Sequence, residues 1–378
     1  MNPLEIRDYF QSRQSEMIDA IREIVDIESP SRDAERNLKV VAWIEEKLRG
    51  LPLALEIENI SADGLGEHLL IRAFPGEAEG TLILGHTDTV HPVETCRQNP
   101  TRIEDGKLYG CGVFDMKANI ILMLESLRLM AEMNLQPAAP ITILLSCDEE
   151  IGSKTGREFV EREAGKSAQC YVFEPSAGGK VKTGRKGTGM YTLSAHGVPA
   201  HAGLEPEKGA NAVLEIARQI EKISSLNAPD IGTTVNVTIV RGGTTSNVIP
   251  ENAECEVDVR FTSIKEAERI AAEMSSLKNI DPRVTLEVRG GMNRPPMERT
   301  DAVVGLYAQA REAAAAFGYE LGETQVGGAS DGNFVGALGV PVLDGLGIAG
   351  NGAHTLDEYI YIDDIVPRAA LVTTLLLK

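Results

Sequence analysis

The residues best suited to chemistry in this 378-residue chain are histidines and acids that stand just beyond apolar segments. The segments "TLILGH", "ITILLSC" and "CYVF" run directly into such residues, and glycines surround others in "YGCGVFDMK" and "GNGAH". The candidates are His86, Asp88, Asp115, Glu149, Glu150, Glu174 and His354. A carboxylate at the end of a buried strand costs free energy unless it is paired or bound to a metal ion. The sequence therefore predicts a metal site.

The side chains in this set offer imidazole nitrogens and carboxylate oxygens but no thiolate. Such ligands suit zinc, with cobalt or manganese as substitutes. A single catalytic zinc usually has three protein ligands, so a larger set predicts two ions that share one bridging carboxylate. The five expected ligands are His86, Asp115, Glu150, Glu174 and His354.

Two acids of the set remain for other roles. Glu149 and Glu150 are neighbours that cannot easily face one metal, so we expect Glu149 to face the substrate and act as a general base. Asp88 stands two residues after His86, and we expect its carboxylate to accept the second imidazole N–H and fix the tautomer. Any one of these residues alone is typical of an ordinary loop, and only their combination indicates an active site.

The elements that must position these residues alternate between strand and helix. Apolar strands are predicted in "LALEIENI", "HLLIRAF", "GTLILGH" and "ITILLSC", and a helix in "KANIILMLESLRLMAEM". Near-continuous apolar strands between helices predict an α/β fold with a mixed, mostly parallel sheet that is flanked by helices. Ligands of such sheets bind beyond the carboxyl ends of the strands, which is where the candidates stand.

The pattern changes after "GGKVKTGRKGTG". Residues 185–293 read as β-α-β-β-α-β, which predicts an inserted ferredoxin-like domain with two helices on one sheet face. The first domain then comprises residues 1–184 and 294–378. An insertion whose two ends lie close together is well tolerated by a folded host domain.

Composition excludes several classes of partner. The chain has 37 Lys and Arg against 56 Asp and Glu, a net charge of −19 that disfavours binding to nucleic acid or an anionic membrane. No apolar run approaches the ~20 residues that span a bilayer, and the N-terminal segment predicts an amphipathic helix, so we expect a cytoplasmic protein. The five cysteines are scattered without a CxxC pair, which predicts neither a disulfide framework nor a thiolate zinc site.

Eight motifs, in order, resemble the M20 family of di-zinc peptidases and amidohydrolases. They are "GHTDTV", "GCGVFDMK", "DEEIGS", "FEPS", "AHAGLEPEKGANAV", "GTTSNVIPENAECEVDVR", "GGASDGNF" and "GNGAHTLDEY". The resemblance covers nearly the whole chain, including the insertion. Within the family, the sequence is most similar to the glutamate carboxypeptidases of the carboxypeptidase G type.

The resemblance implies a role for each residue of the site. One zinc ion would be bound by His86, Asp115 and Glu174 and the other by Asp115, Glu150 and His354, with Glu149 as the base. It also implies a cis peptide bond between Asp115 and Met116. Family members that act as dipeptidases or tripeptidases tend to carry Asp where this sequence has Glu174, which favours a carboxypeptidase or an acylase.

Substrate-binding residues are also implied by the resemblance. Arg260 and Asn247 match positions that receive the substrate α-carboxylate, for which arginine offers a bidentate geometry. Lys180 and Arg294 match positions near the substrate side chain, which favours a glutamate-like leaving residue. The spacing around Lys180 departs from the carboxypeptidase pattern, and the neighbouring basic residues Lys182, Arg185 and Lys186 compete for this role.

The inserted domain carries two histidines, His196 and His201. His196 reads as an ordinary surface residue. His201 lies in "AHAG" and matches a family histidine that crosses a dimer interface and stabilises the oxyanion in the partner's active site. The resemblance therefore implies a homodimer in which the inserted domain serves as dimerisation and lid domain.

The predicted function is hydrolysis of an amide bond that releases a C-terminal, glutamate-like amino acid from peptides or N-acyl amino acids. An N-acyl amino acid deacylase of the acetylornithine or succinyl-diaminopimelate type would use the same metals, base and carboxylate receptor. A non-catalytic binding protein of the same fold would have lost Glu149 or a metal ligand, and none of these is missing.

Overall fold

A computed structural model describes the whole chain, residues 1–378. Its helices are α1 (Pro3–Asp26), α2 (Ala34–Arg49), α3 (Thr95–Gln98), α4 (Ala118–Glu132), α5 (Arg157–Ala164), α6 (Ala212–Ser224), α7 (Ile264–Ser276), α8 (Asp301–Ala315), α9 (Gly332–Ala337) and α10 (Ile362–Leu377). Its strands are β1 (Leu55–Ala62), β2 (Gly66–Ala73), β3 (Gly80–His86), β4 (Arg102–Glu104), β5 (Lys107–Tyr109), β6 (Ile141–Ser146), β7 (Ser167–Val172), β8 (Val181–Arg185), β9 (Gly187–His196), β10 (Thr234–Gly242), β11 (Asn252–Phe261), β12 (Thr285–Arg294), β13 (Glu323–Val326), β14 (Val342–Leu343), β15 (Gly350–Asn351) and β16 (Tyr359–Tyr361).

The chain divides into two compact units. The first comprises residues 1–184, 299–326 and 330–378, and the second comprises residues 185–298 and 327–329. The second unit extends beyond residue 293, the end predicted from the sequence. The reason is that β12 continues to Arg294 and that Met297 exchanges two main-chain hydrogen bonds with Arg185, at the start of the unit.

The main sheet of the first unit has the strand order β1-β2-β6-β3-β7-β14. Strand β3 runs parallel to β6 and β7, and β14 runs parallel to β7. Strand β2 is antiparallel to both of its neighbours, β1 and β6. The sheet is thus mixed and mostly parallel. Strands β3 and β6 are largely apolar and almost fully buried, as is typical of parallel strands that are covered on both faces.

Helices flank this sheet and complete the core. Helix α1 begins with a capping box, in which the Asn2 side chain accepts the main-chain N–H groups of Leu4 and Glu5 while Glu5 accepts the N–H of Asn2. Helices α1, α4 and α8 pack against α10, which is buried along most of its length. Residues of these helices and of β2, β3 and β6 share one apolar core, which supports the strands that carry the site loops.

A small sheet of order β15-β16-β5-β4 supports two further site loops. The hairpin between β15 and β16 carries His354, and β5 leads into the segment that carries Asp115. Because β16 pairs with β5, these two segments are held beside each other.

The second unit has its own sheet of order β10-β11-β9-β12, in which every pair is antiparallel. Its elements follow the predicted order β-α-β-β-α-β. Helices α6 and α7 pack against this sheet around a separate apolar core that includes Leu193, Ile216, Val257 and Ile270.

No helix in the structure is long and apolar enough to cross a membrane. All five cysteines are free thiols, and only Cys96 is not fully buried.

Candidate metal centre and active site

Three neighbouring parallel strands, β6, β3 and β7, deliver most of the site. His86 is the last residue of β3, Glu149 and Glu150 lie in a short helical turn after β6, and Glu174 stands two residues beyond β7. Parallel neighbours end at the same edge of a sheet, so residues that are far apart in the chain converge there. The predicted placement of these residues at strand ends is confirmed.

Asp115 lies between two histidines. Its Oδ1 is 3.2 Å from Nε2 of His86, and its Oδ2 is 3.4 Å from Nε2 of His354. The same two nitrogens face one further carboxylate each: His86 is 3.5 Å from Glu174 and His354 is 3.1 Å from Glu150. One carboxylate with an imidazole on each oxygen is the arrangement expected of a bridging ligand.

The donor atoms form two overlapping groups whose members all lie within 4.8 Å of one another. One group contains His86, Asp115 and Glu150, and the other contains His86, Glu149 and Glu174. The set fits divalent metal ions in its chemistry, since it combines imidazole with carboxylate oxygens. It also leaves Oε1 of Glu150 buried without a hydrogen-bond partner, which is costly unless a cation satisfies it.

The close approach of these acids and histidines shifts their pKa values. Burial raises the pKa of Glu150. For Asp115, burial acts in the same direction, but hydrogen bonds from His354 and His86 outweigh it and hold its pKa well below the usual range. Hydrogen bonds to Asp115 and Glu150 raise the pKa of His354 to about 10. Metal ions that bind here would displace protons from the histidines, because imidazole binds metal in its neutral form.

The peptide bond between Asp115 and Met116 is cis. The expectation drawn from the family resemblance is therefore confirmed.

The expected contact between the Asp88 carboxylate and His86 is present, but the main chain of Asp88 makes a shorter one. Nδ1 of His86 is 2.9 Å from the main-chain oxygen of Asp88, whereas the carboxylate lies farther away, at 3.5 Å. The carboxylate instead accepts the N–H groups of Glu149 and Glu150, at 3.2 and 3.3 Å, and the hydroxyl of Ser31, at 2.6 Å. These three donors fix the Asp88 side chain, so Asp88 orients the Glu149 turn through its carboxylate and His86 chiefly through its main-chain oxygen.

The remaining predicted residues are not part of this cluster. Lys180 lies in an exposed turn of the first unit, and the others belong to the second unit. Arg294 is 5% exposed at the end of β12. Arg260 makes a bidentate ion pair with Asp258, with both contacts at 2.9 Å.

Asn247 and His201 lie side by side in the second unit. The main-chain oxygen of Asn247 accepts the N–H of Ala202, and its side chain accepts the Thr245 hydroxyl. Nδ1 of His201 accepts the N–H groups of Gly203 and Leu204, both at 3.2 Å. A neutral His201 must therefore carry its hydrogen on Nε2, where it can act as a donor.

Sequence reasoning missed two residues beside the cluster, His91 and Glu358. Both are buried, and His91 Nε2 lies 2.7 Å from a carboxylate oxygen of Glu358. Glu358 had a signal in the sequence, since it ends the "HTLDE" segment four residues after His354. His91 had none, because its role depends on a partner far away in the chain.

Comparison with known proteins shows the family to which the chain belongs. Residues 82–378 match the model of peptidase family M20/M25/M40. Carboxypeptidase G2 of a Pseudomonas strain is 27% identical over 369 residues, which cover 94% of this chain and 87% of that protein. A succinyl-diaminopimelate desuccinylase of Xanthomonas oryzae is 29% identical over 317 residues, which cover 78% of this chain and 82% of that protein.

Solved structures share the fold. Aminopeptidase PepT of Bacillus cereus superposes with a TM-score of 0.80 at 22% identity and covers 96% of this chain and 98% of its own. The YXEP protein of Bacillus subtilis, described as a dinuclear metal-binding peptidase of the M20 family, has a TM-score of 0.67 at 15% identity and covers 97% and 98%. The family match extends over most of the chain and includes every residue of the cluster. The chain therefore belongs to peptidase family M20/M25/M40 and is a metal-dependent hydrolase.

Proposed function

We propose that this enzyme hydrolyses an amide bond to release a C-terminal, glutamate-like amino acid from a peptide or an N-acyl amino acid. The observation that carries the proposal is Asp115, whose two oxygens each face an imidazole while Glu149 stands in the same cluster. The similarity to carboxypeptidase G2 supports the carboxypeptidase direction. Glu174, in place of the Asp typical of dipeptidases and tripeptidases, favours it too.

The five ligands divide between two ions. We propose that His86, Asp115 and Glu174 hold one and that Asp115, Glu150 and His354 hold the other, as the close pairs within the cluster suggest. Zinc suits this mixture of imidazole and carboxylate, and cobalt or manganese could replace it. When bound, the ions would polarise the scissile carbonyl and lower the pKa of the attacking water.

Glu149 is proposed to transfer a proton from the attacking water to the leaving amine. Glu149 takes a proton from the attacking water as the new C–O bond forms, and it delivers that proton to the amine nitrogen as the C–N bond breaks. Asp88 supports this step because its carboxylate binds the N–H groups of Glu149 and Glu150 and so fixes the turn that carries the base.

Arg260 and Asn247 are proposed to receive the substrate α-carboxylate. Asp258 occupies Nε and Nη2 of Arg260, so Nη1 remains available to the substrate. The pair with Asp258 would also hold the guanidinium in one orientation, which favours a single mode of binding. Lys180 and Arg294 are proposed to interact with the substrate side chain.

A deacylase is the second candidate function. The similarity to succinyl-diaminopimelate desuccinylases, which extends over most of the chain, favours it. Both reactions break an amide bond next to a free α-carboxylate, so they differ only in the acyl group that the enzyme accepts.

A substrate panel tests the proposal. We expect zinc-loaded enzyme to release glutamate from N-acyl-glutamates or folyl-type glutamates with a higher kcat/KM than it shows for dipeptides or acetylated basic amino acids. Amidation of the α-carboxylate should remove most of this activity, because the carboxylate receptor would lose its ionic partner. Faster turnover of N-succinyl or N-acetyl derivatives of basic amino acids would instead establish the deacylase. No turnover of any amide would contradict both.

The second unit is proposed to act as a dimerisation and lid domain. In its sheet, β10 is an edge strand, and its apolar residues Ile239 and Val240 are exposed. An exposed edge strand can pair with an identical copy about a two-fold axis. We propose a homodimer in which Nε2–H of His201 reaches the partner's site and donates to the oxyanion, a role that fits the tautomer set by Gly203 and Leu204.

Mixed dimers test whether His201 acts across the interface. Glu149→Gln and His201→Ala homodimers should each be nearly inactive, whereas a heterodimer of the two should regain one complete site and therefore a substantial part of wild-type activity. His196→Ala is the matched control and should leave activity unchanged, since the His196 side chain bonds to Asn252 of the same sheet. A verified heterodimer without recovered activity, or a fully active monomer, would refute the proposal.

A further inference from the structure

Glu358 is a buried carboxylate on which four donors converge. The residue is 1% exposed. Its Oε1 accepts the main-chain N–H groups of Phe114, at 2.8 Å, and Asp115, at 2.9 Å. Its Oε2 accepts the N–H of Gly112, at 2.9 Å, and lies 2.7 Å from Nε2 of His91. Hydrogen bonds to a charged acceptor are about twice as strong as neutral ones, so this carboxylate fixes the loop around it.

These contacts tie together two loops that carry proposed metal ligands. Glu358 follows His354 by four residues and directly precedes β16, which pairs with β5. Its main-chain oxygen accepts the N–H of Gly110, and its side chain binds the N–H of Asp115 itself. The residue therefore sets the position of the Asp115 segment relative to the His354 hairpin.

The loop conformation depends on this carboxylate and on Gly112. Gly112 has a φ of +73°, and a Cβ there would lie 2.6 Å from the side chain of Thr89. Only glycine fits such a position without strain. The conformation points the N–H groups of residues 112, 114 and 115 toward one place. Without an anion there, these three N–H groups would lack an acceptor, which would destabilise the loop.

We propose that Glu358 is a positioning residue for the metal centre, held in place by His91, and that it aligns the two oxygens of Asp115 with His86 and His354. The inference rests on the proposed function, because it requires the metal centre. The interaction also affects His91: burial opposes its charged form, but the hydrogen bond and the charge of Glu358 together raise its pKa.

Glu358→Gln probes this role with almost no change in size. The amide oxygen can replace Oε1 toward Phe114 and Asp115, but the amide nitrogen would then face the N–H of Gly112, donor against donor. If the amide is rotated by 180°, its nitrogen instead faces the N–H groups of Phe114 and Asp115, and two donors again face each other. We expect the affinity for divalent metal to fall roughly 10–100-fold, the usual effect of losing a residue that orients metal ligands.

Glu215→Gln is the matched control. Glu215 is also 1% exposed and also accepts two main-chain N–H groups, those of Ile280 and Asp281, together with the amide of Gln219. It belongs to the second unit, within residues 185–298. Both variants should lose stability to a similar degree, but only Glu358→Gln should lose metal affinity.

The experiment is titration of the metal-free proteins with Co²⁺, followed by calorimetry and by the visible absorption of bound cobalt. A weaker dissociation constant and an altered cobalt spectrum for Glu358→Gln, with wild-type values for Glu215→Gln, would support the proposal. Equal affinity and equal spectra in all three proteins would overturn it while leaving the metal centre intact. A wild-type protein that binds no cobalt would overturn the metal centre itself and this inference with it.

His91→Ala provides a second route if Glu358→Gln does not fold. It removes one of the four donors and leaves the three main-chain contacts, so we expect a smaller loss of cobalt affinity in the same direction. His91→Gln retains an N–H donor and should recover part of that loss. Unchanged affinity in His91→Ala would contradict the role assigned to His91.

Discussion

Glu149→Gln is expected to lower kcat by about 10²–10⁴-fold, the range typical of a lost general base. Glutamine keeps the size of the side chain but cannot take a proton from water. Two metal ions per chain should remain bound, because the proposed ligand set does not include Glu149. The measurements are kcat on the best substrate of the panel and metal content after dialysis.

The metal content decides between two roles for this residue. Glu149 lies within 4.8 Å of the donor atoms of His86 and Glu174, so it is close enough to be a ligand. If the variant loses an ion together with its activity, Glu149 is a ligand and the assignment of the base is wrong. Near-normal kcat would contradict both roles. Glu158→Gln, on the exposed face of α5, is the control and should behave as wild type.

Removal of the metal ions is expected to abolish turnover and to lower the melting temperature. Without cations, the carboxylates of Asp115, Glu150 and Glu174 lie close together around two imidazoles. A ligand that binds only the folded state stabilises it by about 4 kcal/mol when its free concentration is 1,000 times its dissociation constant. The measurements are activity and thermal unfolding after chelation and after readdition of each metal.

Zn²⁺, Co²⁺ and Mn²⁺ should restore activity, whereas Mg²⁺ should not, because it prefers an octahedral set of oxygen ligands. His354→Ala should lose one ion and most of the activity, and His196→Ala should keep both. Full activity in protein shown to be free of metal, or restoration by Mg²⁺ alone, would contradict the proposed centre.

The sequence by itself determined where the site lies. His86, Glu150 and Glu174 stand at or just beyond the ends of apolar strands, and such strands can be recognised from the sequence pattern. Once β3, β6 and β7 are neighbours, their ends must meet at one edge. The element order of the second unit was predictable in the same way, because strands such as β9 and β11 alternate between buried and more exposed residues. The family motifs added the cis bond at Asp115, which the structure contains, and the proposed roles of the individual acids.

The tertiary structure alone decided which atoms touch. Asp88 was expected to contact His86 through its carboxylate, but its main-chain oxygen lies closer to the imidazole, and the carboxylate also binds the turn of Glu149. The bidentate pair between Arg260 and Asp258 likewise has no signature in the sequence pattern. Which atom becomes the hydrogen-bond partner depends on differences of less than 1 Å between the distances to competing atoms. Residue type and spacing in the sequence do not determine distances to that precision.

Long-range contacts were the other part that the sequence left open. Glu358 meets Gly112 and Phe114 across more than two hundred positions of the chain, and His91 meets Glu358 across a similar separation. The second unit likewise runs on to residue 298, where Met297 pairs with Arg185 at the start of the unit. Hydrophobic periodicity predicts which face of a helix or strand is buried. It does not predict which distant residue packs against that face, because tertiary packing rather than local preference brings the two residues together.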